Sequence, residues 1–473
     1  MAGQHVLVAG AGVSGRSAAE ALLAVGACVT VTDASVDRLA ALASLESQGA
    51  VLTAGLSEPP EGTDLVVTSP GWKPSSPLLA AAERAGIEVI GEVELAWRLD
   101  QDKPQPAVWL AVTGTNGKTT TVSMLESILR AAGVDAVACG NVGLPVVDAV
   151  RAGHRVLAVE LSSFQLHWSH SLAAHSSVVL NLADDHLDWH GSLDAYGAAK
   201  ARVYNGNSVA VYNADDPWSS RLVAARPSGA ASRRVGFTLS SPASGQLGLA
   251  GGELVDRAFG AGDPASGEGV VLATLADVHP AGPHNAANAL AAAALARAFG
   301  VDSGAVAEGL RLFQPGSHRS VVVTESAGVT YVDDSKATNP HAADAALRAH
   351  PRVVWIAGGL LKGANLDDLV AANAQRLDAA VLIGADRGEF ASALARHAPD
   401  VPVQQVDAGD DEGMIRAVRI ASEFAQPGSV VLLAPAAASM DMFTDYAHRG
   451  RAFADAVRTL IAQSADLSGG QGG

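Results

Sequence analysis

The chain has only two cysteines in 473 residues, Cys28 and Cys139, so no disulfide framework holds it and a reducing compartment suits it. Aromatic residues amount to 4%, which leaves the cores to Ala, Val and Leu. Basic charge is short as well: 32 Lys and Arg against 49 Asp and Glu leave a net charge of −17, which argues against a general nucleic-acid-binding surface. Anionic small molecules remain possible ligands, because a nest of amides with a few cations binds phosphate even in an acidic protein. No stretch approaches the ~18 uninterrupted apolar residues of a membrane span. The Ala-rich run from Ala286 to Phe299 is broken by Asn288 and Arg297 and reads as a core helix. Met1 to Leu7 lacks the basic and then apolar pattern of a secretory signal. The expectation is a cytoplasmic chain with no membrane insertion and no nucleic acid among its partners.

What is present is a globular composition, 48% apolar and 17% charged. The length suggests about two to four domains. Short apolar runs alternate with Ala/Leu-rich helical stretches, the pattern of parallel α/β domains. The polar, twice proline-interrupted segment from Asp100 to Pro106 reads as a linker, and Phe313 to Ser317 as a second boundary. Three α/β domains follow: 1–103, Rossmann-like; 104–315, a P-loop mononucleotide-binding domain; and 316–465, again Rossmann-like. A disordered tail is expected over 466–473. Arg226 to Gly269, rich in Gly, Ala and Ser, reads only as short strands and loops.

Four motifs carry chemistry. Gly10-Ala11-Gly12-Val13-Ser14-Gly15 follows a strand and opens a helix, with Asp33 ending the next strand, which matches the dinucleotide fingerprint. Alone it favours an NAD or FAD enzyme; the plainer reading is a strand-to-helix turn that can hold a diphosphate, with Asp33 within reach of a ribose or base. Gly114-Thr115-Asn116-Gly117-Lys118-Thr119-Thr120 sits between an apolar strand and a helix. Its amides suit phosphate oxygens, Lys118 the β- and γ-phosphates, and the Thr119 hydroxyl a magnesium ion. Val112 stands where the general P-loop pattern has its first glycine. Glu160 ends the apolar strand Val156 to Val159, where a carboxylate for nucleotide-bound Mg²⁺ belongs, although a helix-capping role is the plainer reading. Asp184 to His190 is dense in Asp and His, as a metallohydrolase site or a solvated, capped turn would be. Lys200 lies in a helical segment, where a lone lysine is normally a surface residue.

Together, Gly114 to Thr119, Glu160-Leu161-Ser162-Ser163-Phe164-Gln165, Asp185-His186-Leu187-Asp188, Ala199-Lys200, Asn213 to Pro217 and His284 to Ala289 resemble the Mur ligases, in this order and spacing. Asp333 to Pro340 and Ala434 to Phe443 are similar to the branch of that family that adds D-glutamate. The diaminopimelate- or lysine-adding branch carries Asp-Asn-Pro-Arg, which does not occur here.

The resemblance implies an ATP-dependent ligase of peptidoglycan precursor synthesis that joins D-glutamate to UDP-N-acetylmuramoyl-L-alanine through an acyl phosphate. It implies a monomer, two Mg²⁺ ions and CO₂ as a carbamate on Lys200. It gives catalysis to Lys118, His186, Lys200 and Glu160, and metal binding to Thr119, Glu160, His186 and Lys200. ATP falls to Gly114, Thr115, Asn116, Gly117, Lys118, Thr119, Thr120, Asn285, Arg319 and Asp334. The UDP-substrate falls to Gly12, Val13, Ser14, Asp33, Ser69, Gly71, Asn141, Ser162 and Gln165. D-glutamate falls to Thr338, Lys362, Ser439 and Tyr446. Two positions depart from the family pattern: Leu360, where many relatives have an acidic residue, and Tyr446, where they often have Phe. The rivals are another amino-acid ligase of the family, such as the L-alanine-adding one, an NAD-dependent oxidoreductase and a metallohydrolase.

Overall fold

A computed structural model describes residues 1–225, 233–259, 269–407 and 410–469. They form three sheets. The first is fully parallel, in the order β3-β2-β1-β4-β5, from His5–Ala9 (β1), Cys28–Asp33 (β2), Val51–Ala54 (β3), Leu65–Thr68 (β4) and Glu88–Gly91 (β5). The second has nine strands in the order β14-β13-β12-β11-β10-β9-β6-β8-β7. Its parallel part comprises Val108–Thr113 (β6), Ala136–Gly140 (β7), Val156–Glu160 (β8), Ser176–Val179 (β9), Val209–Asn213 (β10) and Arg233–Phe237 (β11). Gln246–Ala250 (β12) joins in parallel, and Glu253–Asp256 (β13) and Val270–Thr274 (β14) add an antiparallel edge. β11, β12 and β13 occupy the segment that composition left as short strands and loops; 226–232 and 260–268 lie outside the described residues.

The third sheet runs β15-β16-β20-β17-β18-β19, built from Val321–Ser326 (β15), Val329–Asp333 (β16), Val353–Gly358 (β17), Leu377–Ile383 (β18), Val403–Gln405 (β19) and Val430–Leu433 (β20). Only the β15–β16 pair is antiparallel. The central strands are apolar end to end because helices cover both faces, as parallel sheets require. β17 and β20, for example, are buried at every residue. The mixed α/β class is as expected. In this sheet β15 and β19 were not anticipated; they are its edge strands, and none of their residues is fully buried.

The chain divides into two compact units: 1–182 with 186–279 and 283–313, and 314–473 with 183–185 and 280–282. The first and second sheets thus share one unit. The reason lies in the segment expected to be a loose linker. Asp100 belongs to the helix Glu92–Gln101, is fully buried, and its Oδ2 accepts from the Ala107 amide and the Trp109 indole, both at 2.9 Å. Val93 and Ala96 of that helix join Trp109, Val147 and Leu157 in one apolar cluster. Glu92 is buried too, and accepts from the Val147 amide at 2.7 Å. The helix Pro283–Phe299 lies in the core as the Ala-rich run foretold. The last helix, Tyr446–Gly469, takes in the first residues of the expected tail, and 470–473 lie outside the described residues. Among the described residues no helix is long and apolar enough to cross a membrane.

Candidate active site

The first cradle lies at the C-terminal ends of β1, β2 and β4. The chain leaves β1 for β2 on one side and returns to β4 on the other, and at such a reversal parallel strand ends open a crevice. The glycines there have separate tasks. A Cβ on Gly15 would lie 1.8 Å from the Gly10 carbonyl oxygen, and one on Gly10 would lie 2.3 Å from Ser69 Oγ, so these two serve close packing. Gly12 precedes the helix Val13–Ala24 and faces open space, as does Gly71. Val13 is exposed and Ser69 Oγ is buried with no protein hydrogen-bond partner.

Asp33 braces this loop, its Oδ2 accepting from the Ala11 amide at 2.8 Å and its Oδ1 from the Ser35 amide at 2.9 Å. Burial alone would raise its pKa, but those backbone donors and the Arg38 charge outweigh it and hold the carboxyl below its usual value.

The second cradle begins where β6 ends. Val112 lies inside that strand, paired with Glu160 of β8 and Val178 of β9, which explains why no glycine stands there. The loop turns through Gly114 and Gly117, and the helix Lys118–Ala131 follows. Gly117 has φ +83°, and a Cβ on it would meet Asn288 Oδ1 at 2.4 Å. Asn288 in turn accepts from Thr121 Oγ1 and donates to Asn285 Oδ1, both at 3.3 Å, which ties Asn285 to the loop. Asn116 and Asn181 exchange two hydrogen bonds across the loop, and Thr120 lies in the first turn of the helix.

Two ammonium groups meet one carbonyl here. Lys118 Nζ donates to Gly114 O at 3.1 Å and to Thr115 O at 2.9 Å, while Lys200 Nζ donates to the same Gly114 O at 2.8 Å. Lys200 is only 1% exposed, with the Tyr196 ring 4.5 Å from its nitrogen, so the expectation of a surface lysine is overturned. The helix that carries it turns this face inward, burying Tyr196, Gly197, Ala199 and Lys200.

Glu160 is 2% exposed. Its Oε2 accepts from Thr119 Oγ1 at 2.6 Å and its Oε1 from Asn141 Nδ2 at 2.9 Å. Gly140 permits this approach, since a Cβ there would lie 2.1 Å from the Glu160 carbonyl. The capping task falls instead to Ser162, which forms a reciprocal capping box with Gln165 at the start of the helix Ser163–His167. A buried carboxylate beside a threonine hydroxyl at the mouth of a phosphate loop is a hard-oxygen pair that suits Mg²⁺, which takes one or two carboxylates and draws its other ligands from phosphate and water. No cluster of three His, Cys, Asp or Glu side chains able to hold a metal exists among the described residues, so the Asp184 to His190 segment builds no protein-only metal site.

That segment is an aromatic cluster instead. His186 has φ +54° and packs on Phe164, ring centres 4.7 Å apart. His190 touches Ser163 Oγ at 2.9 Å, and burial with neighbouring positive charge lowers its pKa to about 4, which keeps it neutral.

The second unit places its candidates on loops after β16, β17 and β20. Asp334 accepts from Ser320 Oγ at 3.1 Å; burial pushes its carboxyl up to about 6 against the pull of Ser320 and Arg319. Thr338 follows the turn in which its amide donates to Lys336 O at 2.8 Å, and Lys336 Nζ lies 3.6 Å from the Tyr446 ring centre. Lys362 has φ +53°, held between Gly359 and Gly363. Leu360 is taken up in a backbone bridge to Ala438, and the neighbouring Leu361 amide donates to Asp386 at 2.8 Å. Ser439 is buried, its carbonyl accepting from the Met442 and Phe443 amides. Arg449 and the pairing of Ser163 with His190 have no mark in the local sequence, because the partners lie far apart in the chain.

The fold and these cradles define a nucleotide-dependent ligase architecture, and comparison gives the class: the chain belongs to the Mur ligase family. Three family models match, the Mur ligase MurD-like N-terminal domain over 4–91, the Mur ligase middle domain over 112–296, and the Mur ligase glutamate ligase domain over 318–437. Among its relatives, the UDP-N-acetylmuramoylalanine--D-glutamate ligase of Streptomyces coelicolor is 56% identical over 467 residues, 97% of this chain and 99% of that protein. The enzyme of the same name from Thermobifida fusca is 56% identical over 468 residues with the same coverage. Among solved structures, MurF from Acinetobacter baumannii superposes with TM-score 0.60 at 19% identity, covering 91% of this chain and 90% of that one. MurC from Thermotoga maritima gives 0.57 at 19%, covering 96% and 99%.

Proposed function

We propose that this chain joins D-glutamate to UDP-N-acetylmuramoyl-L-alanine at the expense of ATP, a step of peptidoglycan precursor synthesis in the cytoplasm. The observation that carries the ligase reading is the phosphate loop with Lys118 beside the Thr119–Glu160 pair. The D-glutamate assignment is supported by relatives of that name at 56% identity over nearly the whole chain. The NAD-dependent reading of Gly10 to Gly15 leaves this second cradle without a use.

A carboxylate is a poor electrophile, so amide formation needs it phosphorylated first. The γ-phosphate and the substrate carboxylate are both anions, and bringing them together is costly where water is scarce. Lys118 and His186 supply donors there. A Mg²⁺ ion held by Glu160 and Thr119 would neutralise charge on the β- and γ-phosphates. The D-glutamate amine then attacks the acyl phosphate and phosphate leaves.

Lys200 would carry the remaining metal role as a carbamate: its uncharged amine adds CO₂ and releases a proton, turning a donor into an oxygen ligand. The nucleotide candidates are Asn285 in the first unit and Arg319 and Asp334 in the second. Gly12, Val13, Ser14, Asp33, Ser69 and Gly71 hold the uridine diphosphate, with Asn141, Ser162 and Gln165 toward the reacting end. Thr338, Lys362, Ser439 and Tyr446 receive D-glutamate, Lys362 as a compact cation for a carboxylate.

Phosphate release from ATP tests this reading. It should require UDP-N-acetylmuramoyl-L-alanine and D-glutamate together. Release sustained by L-alanine with the unsubstituted UDP-sugar, or by neither amino acid, would overturn it.

A further inference from the structure

Arg449 lies in the helix Tyr446–Gly469 and is 1% exposed. Its guanidinium reaches three separate stretches of chain, the loop after β16, the end of β17 and the loop after β20. Nε donates to Ser335 Oγ at 3.0 Å and Nη2 to Ser335 O at 2.9 Å. Nη1 donates to Ala437 O at 3.1 Å and to Gly358 O at 3.4 Å. Ser335 Oγ passes the connection on, donating to Tyr446 O at 2.7 Å. These partners are carbonyls and a hydroxyl rather than carboxylates, so the side chain fixes directions more than it cancels charge.

Burying this cation is costly: desolvation lowers its pKa to about 10 against the pull of the Asp441 and Asp333 charges. The same loops are otherwise held by close backbone contact: a Cβ on Gly359 would lie 2.1 Å from Ala438 O, and one on Gly358 1.9 Å from Ile383 O.

The loops so joined are those that carry the D-glutamate candidates. Ser335 lies three residues before Thr338, Gly358 four before Lys362, Ala437 two before Ser439, and Tyr446 three before Arg449 itself. We infer that Arg449 is a positioning residue for D-glutamate: one planar fork sets the mutual spacing of all four contacts without touching the amino acid. This rests on the pocket assignment proposed above. Lysine cannot replace it, since a single ammonium does not span acceptors on three loops.

The test uses the full-length enzyme with Arg449→Lys and Ser335→Ala, compared with Lys362→Ala. Arg449→Lys should raise the KM for D-glutamate by about tenfold or more, and Ser335→Ala by a smaller factor, because small displacements of positioning groups are costly in rate and affinity. KM for the UDP-substrate and the dissociation constant for ATP should stay within about threefold of wild type. Equal losses for all three ligands, or a well-folded Arg449→Lys with unchanged KM for D-glutamate, would overturn the positioning role. Should Arg449→Lys not fold, Ser335→Ala decides alone, and an unchanged KM for D-glutamate there overturns it. If Lys362→Ala leaves that KM unchanged, the pocket assignment itself falls. If Lys362→Ala raises it and the Arg449 and Ser335 variants do not, only the brace falls.

Discussion

Thr119 Oγ1 donates to Glu160 Oε2 across 2.6 Å, joining the helix after the phosphate loop to the end of a neighbouring strand. This hydroxyl and carboxylate are the groups proposed above to hold a magnesium ion. Glu160→Gln keeps the shape and the Asn141 contact but removes the charge. Turnover should fall roughly 100-fold, with the Mg²⁺ concentration for half-maximal rate rising. Initial rates across a magnesium titration check this, and an unaltered magnesium requirement would remove Glu160 from the metal site.

Lys118→Ala should lower kcat/KM by about 1,000-fold or more while circular dichroism and melting stay close to wild type. The lysine's hydrogen bonds to the loop carbonyls Gly114 and Thr115 lie outside the apolar core, so its loss removes little from the fold. Retained turnover would mean that another cation serves the γ-phosphate.

Glu92 gives a pH dependence of stability. Burial raises its carboxyl from 4.5 to about 7, with Asp148 adding to the shift against the Val147 amide. Between these values the folded state holds a proton that the unfolded state has lost. Stability from this group is therefore fully present below pH 4.5 and declines as pH rises through 7, by roughly 3 kcal/mol in all. Glu92→Gln cannot ionise. Its melting temperature relative to wild type should be higher at pH 8 than at pH 5, and an identical difference at both would refute the assignment.

Gly15→Ala places a methyl group 1.8 Å from the Gly10 carbonyl oxygen. The first helix must retreat from its strand, at a cost of about 1–3 kcal/mol. The expected result is a lower melting temperature and a raised KM for the UDP-substrate, with nucleotide affinity at the second cradle kept. Equal weakening of both ligands would show that the damage is not local.

Much of this was readable from residue order. Strands buried on both faces, such as β6 and β17, announce themselves as apolar runs, and the two glycine loops follow strands as their chemistry demands. Edge strands such as β19 were hidden because one exposed side dilutes that signal. Lys200 shows the other limit: a lysine looks the same in sequence whether its helix face meets water or Tyr196. Partnerships such as Arg449 with Ser335, or Glu92 with Val147, span distances that no local pattern records.

The buried seam at Asp100 and Trp109 bears on how this protein can be dissected. A fragment ending at the proline-flanked polar stretch would bare Val93 and Ala96 and leave the buried Asp100 carboxylate without the Ala107 amide and the Trp109 indole. Such a piece should aggregate on expression, so recombinant halves for crystallisation or ligand screening are better divided after Phe313, where the first compact unit ends.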